Sequence, residues 1–459
     1  VIREGIQSDS GGIREGRVLS LHFGGLGLPS SSMNAKPHTN ADTHPMTSIA
    51  RMWFPLAFTW LLMAAEGPLL AAIVARKSDA AINLAAWGVA YSIAVIMESP
   101  IIMLLSASTK LARNREAYLS LRRFAFALNG GLTAIMLLLL ALGAMSWMVR
   151  HWVGLPEPIA ALSADTLWVM LLWPASIGLR RFYQGLLITA GKTHLIAAGT
   201  VLRLATVTLT ALAIHAYTDL PGAVLAGIAI TAAVVVESVA SRVMSDTTVK
   251  CLLSGRDIAT RKPVKSVPLP LGQIVSFYTP LALTSLIALA VHPAVSFFLG
   301  HSVQPVASLA VFPVVTGFIF LFRGTFGLSF QELALSILAT HPERLGHVAR
   351  FAGILAGTAT VLLLSVAFTP VGGWWFASVA GLSGELFALV PVPLRLMAVM
   401  PATSVTLSFQ RAVLMASGNT RPITAATAVE VAVIVLVLLG SIHFTEMVGA
   451  TAGALALLT

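Results

Sequence analysis

Ten charged residues sit inside stretches of this chain that are otherwise apolar: Glu66, Glu98, Glu237 and Glu430, and Arg180, Arg181, Arg203, Arg323, Arg395 and Arg411. Ionisable side chains are costly in hydrocarbon, so each is expected to face a cavity or a partner of opposite sign. A guanidinium presents a fork of donors that fits carboxylate and phosphate, and the excess of arginine over glutamate points to an anionic cargo. Arg180 and Arg181 are neighbours, about 100° apart around a helix. One is expected to turn to a cleft and the other to a glutamate of its own half, Glu98 or Glu237. Tyr183 and Gln184 follow close behind, and Arg203 and Arg395 complete the expected substrate-binding set. For Arg181, Arg323 and Arg411 the competing reading is a side chain that snorkels to the headgroups from a helix end. A carboxylate beside a helix break can carry a proton or bind a cation. Glu66 precedes Gly67-Pro68 and Glu98 precedes Ser99-Pro100, which makes both candidates for ion coupling, and His292 before Pro293 is a third. The alternative for each is a structural ion pair or hydrogen bond.

The elements that position these residues are membrane helices. The chain is 57% hydrophobic and 10% charged, with a mean hydropathy of +0.86. A soluble domain carries about 25% charged residues, so a soluble enzyme is excluded. Apolar runs follow one another with few interruptions, and backbone groups in lipid must be satisfied internally, which makes the runs helices. Twelve are expected, near 49–75, 82–106, 121–149, 160–189, 194–216, 221–244, 270–299, 304–328, 346–368, 385–417, 421–441 and 446–459. The single cysteine, Cys251, leaves neither a disulfide framework nor a cysteine-based zinc site within the chain, and no metal or cofactor is expected. Asp79, Asp219 and His301 lie scattered in loops without forming an acid–base set, so an integral membrane transferase is the distant alternative to a non-enzyme.

Residues 54–72 (FPLAFTWLLMAAEGPLLAA) and 279–297 (TPLALTSLIALAVHPAVSF) are the same segment at an offset of 225, with Pro55 on Pro280 and Pro68 on Pro293. At an offset of 227, WPAS (173–176) meets MPAT (400–403), AGKT (190–193) meets SGNT (417–420), and Gly222 meets Gly449. The fold expected is therefore all-α and polytopic, a duplication of two parallel six-helix bundles around a central cleft. The divisions are an N-terminal extension without structure (1–47), a first bundle (48–244), a cytoplasmic linker (245–269) and a second bundle (270–459). The extension suggests Met33 or Met46 as the true start, and the run from Val448 is read as a last helix cut short at Thr459. Basic residues set the orientation. With the N-terminus cytoplasmic, sixteen lie on that side, against Arg76, Lys77 and Arg150 on the other. The formal charge of +10 thus follows from topology and calls for no nucleic acid. A monomer in the cell (inner or plasma) membrane is expected, with the lipid bilayer and H+ or Na+ as its other partners.

With kinking prolines in the first and seventh helices and glycine–alanine pairs in the sixth and twelfth, the repeat resembles the multidrug/oligosaccharidyl-lipid/polysaccharide flippase superfamily, in other words a MATE-like chain. Within it, FPLAFT (54–59), LAAWGVAYSI (84–93) and Ser99-Pro100 are similar to the opening helices of the progressive ankylosis protein family. VPLRL (392–396) with Pro401 resembles that family's tenth helix. The resemblance covers roughly 50–459. It implies a secondary active exporter of small anions such as pyrophosphate, nucleotides or citrate-like carboxylates. A lipid-linked glycan flippase and a multidrug or cation exporter of the same fold are the alternatives.

Overall fold

A computed structural model of the chain describes residues 45–459 apart from 259–261, 266, 419–420 and 446. The described residues form one compact unit. The expected N-terminal extension lies outside the described residues up to position 44. Its last three residues do not belong to it, because the first helix already begins at Pro45.

The helices run in chain order as follows. The first half holds α1 (Pro45–Val74), α2 (Ala80–Glu98), α3 (Leu104–Leu111), α4 (Arg115–Ala141), α5 (Ala144–His151), α6 (Glu157–Val169), α7 (Trp173–Thr189), α8 (Thr193–Tyr217) and α9 (Gly222–Met244). Next comes α10 (Asp246–Leu253), a helix inside what the sequence suggests is plain linker. The second half holds α11 (Leu271–Leu289), α12 (Val291–Gly300), α13 (Pro305–Phe322), α14 (Ser329–Thr340), α15 (Leu345–Phe368), α16 (Pro370–Trp374), α17 (Gly384–Ala388), α18 (Pro391–Leu396), α19 (Met400–Ala416), α20 (Arg421–Thr445) and α21 (Gly449–Leu458). Among the described residues ten helices are long and apolar enough to cross a membrane, and α6 with α7 makes an eleventh span bent by 40°. The 10 residues of α21 rise about 15 Å, half of a bilayer core.

Proline writes the breaks. Lacking an N–H, it suits the first turn of a helix and interrupts an interior. Pro174 and Pro401 each sit in the first turn, of α7 and α19, after an irregular stretch. Pro100 lies in the turn between α2 and α3, and Pro293 follows the break at Ala290 between α11 and α12. Asn114 caps α4, its side chain accepting from the Ala117 N–H at 2.9 Å. The duplication is visible in backbone geometry. Asp79 and Gln304, 225 residues apart, both precede their helices in the left-handed region (φ 51° and 54°). Gly191 and Gly418, 227 apart, both end theirs there (φ 69° and 76°), where glycine alone is unstrained.

Two departures matter for the site. The eighth span does not stop near 328. A π-helical segment, Arg323–Leu328, carries it into α14, where Phe330, Leu333, Ala334, Ile337 and Leu338 are buried at helical spacing. The tenth span is broken into α17, α18, a 3-10 turn and α19 rather than continuous.

The first helix of each half also leans on the opposite half. Ile49 is buried with Phe330, Phe351 and Val405, and the Trp53 indole donates to Ser329 Oγ at 2.8 Å. In return Ile274 and Tyr278 of α11 pack with Ile101, Leu104 and Tyr118. The Tyr278 ring stands edge-on to Phe124 at 5.0 Å, and its hydroxyl donates to the Pro100 carbonyl. At the other end of the molecule Arg76 Nη2 donates to the Ser378 carbonyl at 2.7 Å, tying the halves there too.

Candidate functional site

The first half holds a buried ion network built from four spans. Arg203 on α8 takes Glu66 of α1 with two nitrogens, Nε to Oε1 at 3.2 Å and Nη2 to Oε2. Its third nitrogen lies 3.9 Å from Glu237 Oε2 on α9. Arg180 Nη1 of α7 donates to that same oxygen at 2.6 Å, and Gln184 Nε2 reaches Glu237 Oε1 at 3.3 Å. Glu237 is fully buried, and Glu66, Arg180 and Gln184 nearly so. Charges taken so far from water persist only when paired and hydrogen-bonded. The pairing is geometric: Arg180 and Gln184 are four residues apart on α7 and share one face.

Two groups stand apart from that network. Glu98, at the end of α2, is 9% exposed and its Oε2 has no hydrogen-bond partner among the described residues. It feels the charges of Arg180, Arg181, Arg203 and Glu66 without bonding any of them. Arg181 has no hydrogen bond or ion pair among the described residues, and its Nε is buried and unsatisfied. Its electrostatic neighbours are Arg180, Glu98, Glu237 and Arg203 in its own half and Glu332 of α14 in the other.

The second half carries a cavity of ≈ 320 Å³ between α11, α12, α14, α19 and α20. Gln331, Arg411, Thr427 and Glu430 supply its polar wall. Arg411 Nη2 meets Glu430 Oε2 at 3.4 Å, a long contact, with both side chains partly exposed. Among the described residues no group of three or more His, Cys, Asp or Glu could hold a metal ion.

No family model and no curated protein matches the chain. Solved structures do. An inward-facing multidrug resistance MATE family transporter of the MOP superfamily is 15% identical, with 89% of this chain and 94% of that one covered, at a TM-score of 0.69. The lipid II flippase MurJ in an inward closed conformation gives 11% identity, coverage of 89% and 85%, and a TM-score of 0.62. An outward-facing multidrug resistance MATE family transporter gives 16%, 90% and 93%, and 0.58. The chain has the MATE fold. It is a multi-pass membrane protein in which the expected duplicated helical architecture is present.

Within this MATE fold the expected site residues do not form one cluster. Arg180, Arg203, Gln184 and Glu66 come together, but as a network whose charges satisfy one another, so Arg180 and Arg203 are not open to a ligand in this conformation. Tyr183 faces elsewhere: the Arg242 guanidinium lies 5.4 Å over its ring. Arg395 is in the second half, exposed, 5.4 Å over the Phe368 ring, and does not join the other arginines. Its α18 packs on α15 and α21, whereas Arg180 and Arg181 lie on α7 against α3, α4 and α9. His292 is placed beside Arg323, within reach of its charge. Glu332 is the acidic residue that sequence reasoning passed over. It lies in the continuation of the eighth span beyond 328, close to Trp60. The apolar period from Phe330 to Leu338 was the signal that could have found it.

Proposed function

We propose that the chain is a secondary active transporter that exports a small organic or phosphate-containing anion by alternating access, with pyrophosphate, nucleotides and citrate-like carboxylates as the class. The observation that carries the anion is Arg181. Once Arg180 and Arg203 are neutralised by Glu237 and Glu66, Arg181 is the arginine of α7 and α8 left without a hydrogen bond or ion pair among the described residues, next to the other half at Glu332. A fork of unused donors in a water-poor cleft is suited to carboxylate or phosphate. The resemblance of residues 54–100 to the progressive ankylosis proteins supports the same class.

The two bundles, 48–244 and 270–459, rock about this cleft with 245–269 joining them. The higher likeness to an inward-facing relative than to an outward-facing one supports a cleft open to the cytoplasm, with Arg76 and Ser378 closing the outer side. Glu98 is the coupling group, loading and releasing a proton, or Na+ in its place. Glu66 is held too firmly by Arg203 for that role. Two further readings have their own support: the likeness to MurJ favours a lipid-linked glycan flippase, and Glu332 beside Trp60 favours a cation exporter.

The test is uptake of labelled pyrophosphate, ATP and citrate into proteoliposomes holding the full chain, with Arg181→Ala alongside. Saturable anion transport weakened at least tenfold by the substitution is expected. Transport of a cationic dye with no anion transport overturns the anion, and flipping of a lipid-linked glycan analogue alone moves the reading to a flippase.

A further inference from the structure

The matched positions of the two halves differ in charge, and two of four pairs are inverted. At the repeat offsets Glu66 stands against Val291, Glu98 against Arg323, Gln184 against Arg411, and Arg203 against Glu430. The backbone supports these pairings, since the left-handed Asp79 and Gln304 start α2 and α13 in one register and Gly191 and Gly418 end α7 and α19 in the other. The first half fills the place with ion pairs among Glu66, Arg203, Arg180 and Glu237. The second half lacks the Glu66 carboxylate, because Val291 stands there, and it places arginine where the first half has Glu98 and Gln184. What it has instead is the cavity of ≈ 320 Å³ between α11, α12, α14, α19 and α20.

We propose that this cavity is a binding site for an amphiphilic anion, a carboxylate or phosphate monoester on a short apolar chain. The charge comes from Arg411, held among the described residues by a 3.4 Å contact to a partly exposed Glu430, and from Arg323 nearby. Arg323 has no hydrogen bond or ion pair among the described residues and sits at the first residue of the π-helical segment, an irregularity often found at functional sites. Arg411 and Glu430 balance each other in the lining, and Arg323, which lies outside the lining but feels both charges, tips the surroundings positive. Apart from Gln331 and Thr427, the rest of the lining is apolar, formed by Ala288, Val291, Met415, Ile423 and Val431. A ligand that pairs with Arg411 and covers that apolar lining replaces a weak, wet ion pair by a charge-assisted hydrogen bond and buried hydrocarbon. The volume equals roughly ten water molecules, room for the headgroup and about five carbons, with the rest of a longer chain lying at the open mouth. This site is separate from the Arg181 cleft, and its occupancy does not depend on what that cleft transports.

The experiment is displacement of tritiated decyl phosphate from purified full-length protein by unlabelled decyl phosphate, decanoate, inorganic phosphate and decyltrimethylammonium. Decyl phosphate and decanoate are expected to compete, inorganic phosphate to compete at least 100-fold less well, and the cation not at all. Arg411→Gln and Arg323→Gln are each expected to weaken binding about tenfold, and Val291→Glu to abolish it by restoring a carboxylate to the pocket. Arg411→Lys, which keeps the charge and loses the fork, is expected to fall between, and serves if Arg411→Gln does not fold. Equal competition by the cation, equal competition by inorganic phosphate, unchanged affinity in the arginine variants, or no displaceable binding overturns the proposal.

Discussion

Arg203 grips Glu66 through two of its nitrogens and turns the third toward Glu237, so one guanidinium on α8 joins the first helix to the last helix of its half. Both side chains of the Glu66 pair are largely withdrawn from solvent. Removing one partner leaves an unpaired buried charge, which costs about 3–5 kcal/mol. Removing both leaves an apolar contact of similar volume. Arg203→Met is therefore expected to lower the thermal midpoint of the purified protein strongly, and Glu66→Leu/Arg203→Met to recover most of the loss. Additive losses in the double variant would show that the two residues do not act as a pair.

Glu98 gives the opposite expectation. Its Oε2 has no partner to lose, so Glu98→Gln should leave the thermal midpoint close to wild type. If Glu98 carries the coupling proton, the variant loses transport driven by a pH gradient yet keeps downhill exchange. Wild-type pH dependence in Glu98→Gln would remove it from the coupling role.

Arg181 differs from Arg180 in what a substitution should report. Arg180→Gln strips Glu237 of its 2.6 Å partner and should destabilise the protein. Arg181→Gln removes a side chain without a partner and should raise the KM for the anion with little change in stability. A KM effect from Arg180→Gln at unchanged stability, with none from Arg181→Gln, would exchange their roles.

The contact between Trp53 and Ser329 holds the first helix on the second half. In a Cys251→Ser background, Trp53→Cys/Ser329→Cys treated with a short bifunctional thiol reagent should be fixed in the present conformation. Transport should stop and return on reduction. Continued transport after complete cross-linking would mean that this contact persists through the cycle.

Much of the fold is legible in the chain because it repeats. Pro174 and Pro401, and Gly191 and Gly418, mark the same breaks twice, whereas Pro68 stays inside unbroken α1 while its match Pro293 follows a break. Hydropathy places most of the spans. The misreadings arise where local signal and helix identity part. The eighth span continues through the π-helical segment at Arg323–Leu328, a register change that hydropathy does not register, and Glu332 was hidden with it. The tenth span breaks around Pro391 and Pro393 although its mean hydropathy reads as one continuous span.

The ionisable residues divide along the same line. Their presence in apolar helices, and with it the membrane setting and the duplicated bundle, is a property of the sequence alone, since composition and period suffice to require helices in lipid. Which arginine meets which glutamate is decided only in three dimensions. Arg180 and Arg181 are adjacent and alike in sequence. The rotation of α7 gives one to Glu237 and leaves the other at the edge of the opposite half, because a helix turns neighbouring side chains about 100° apart.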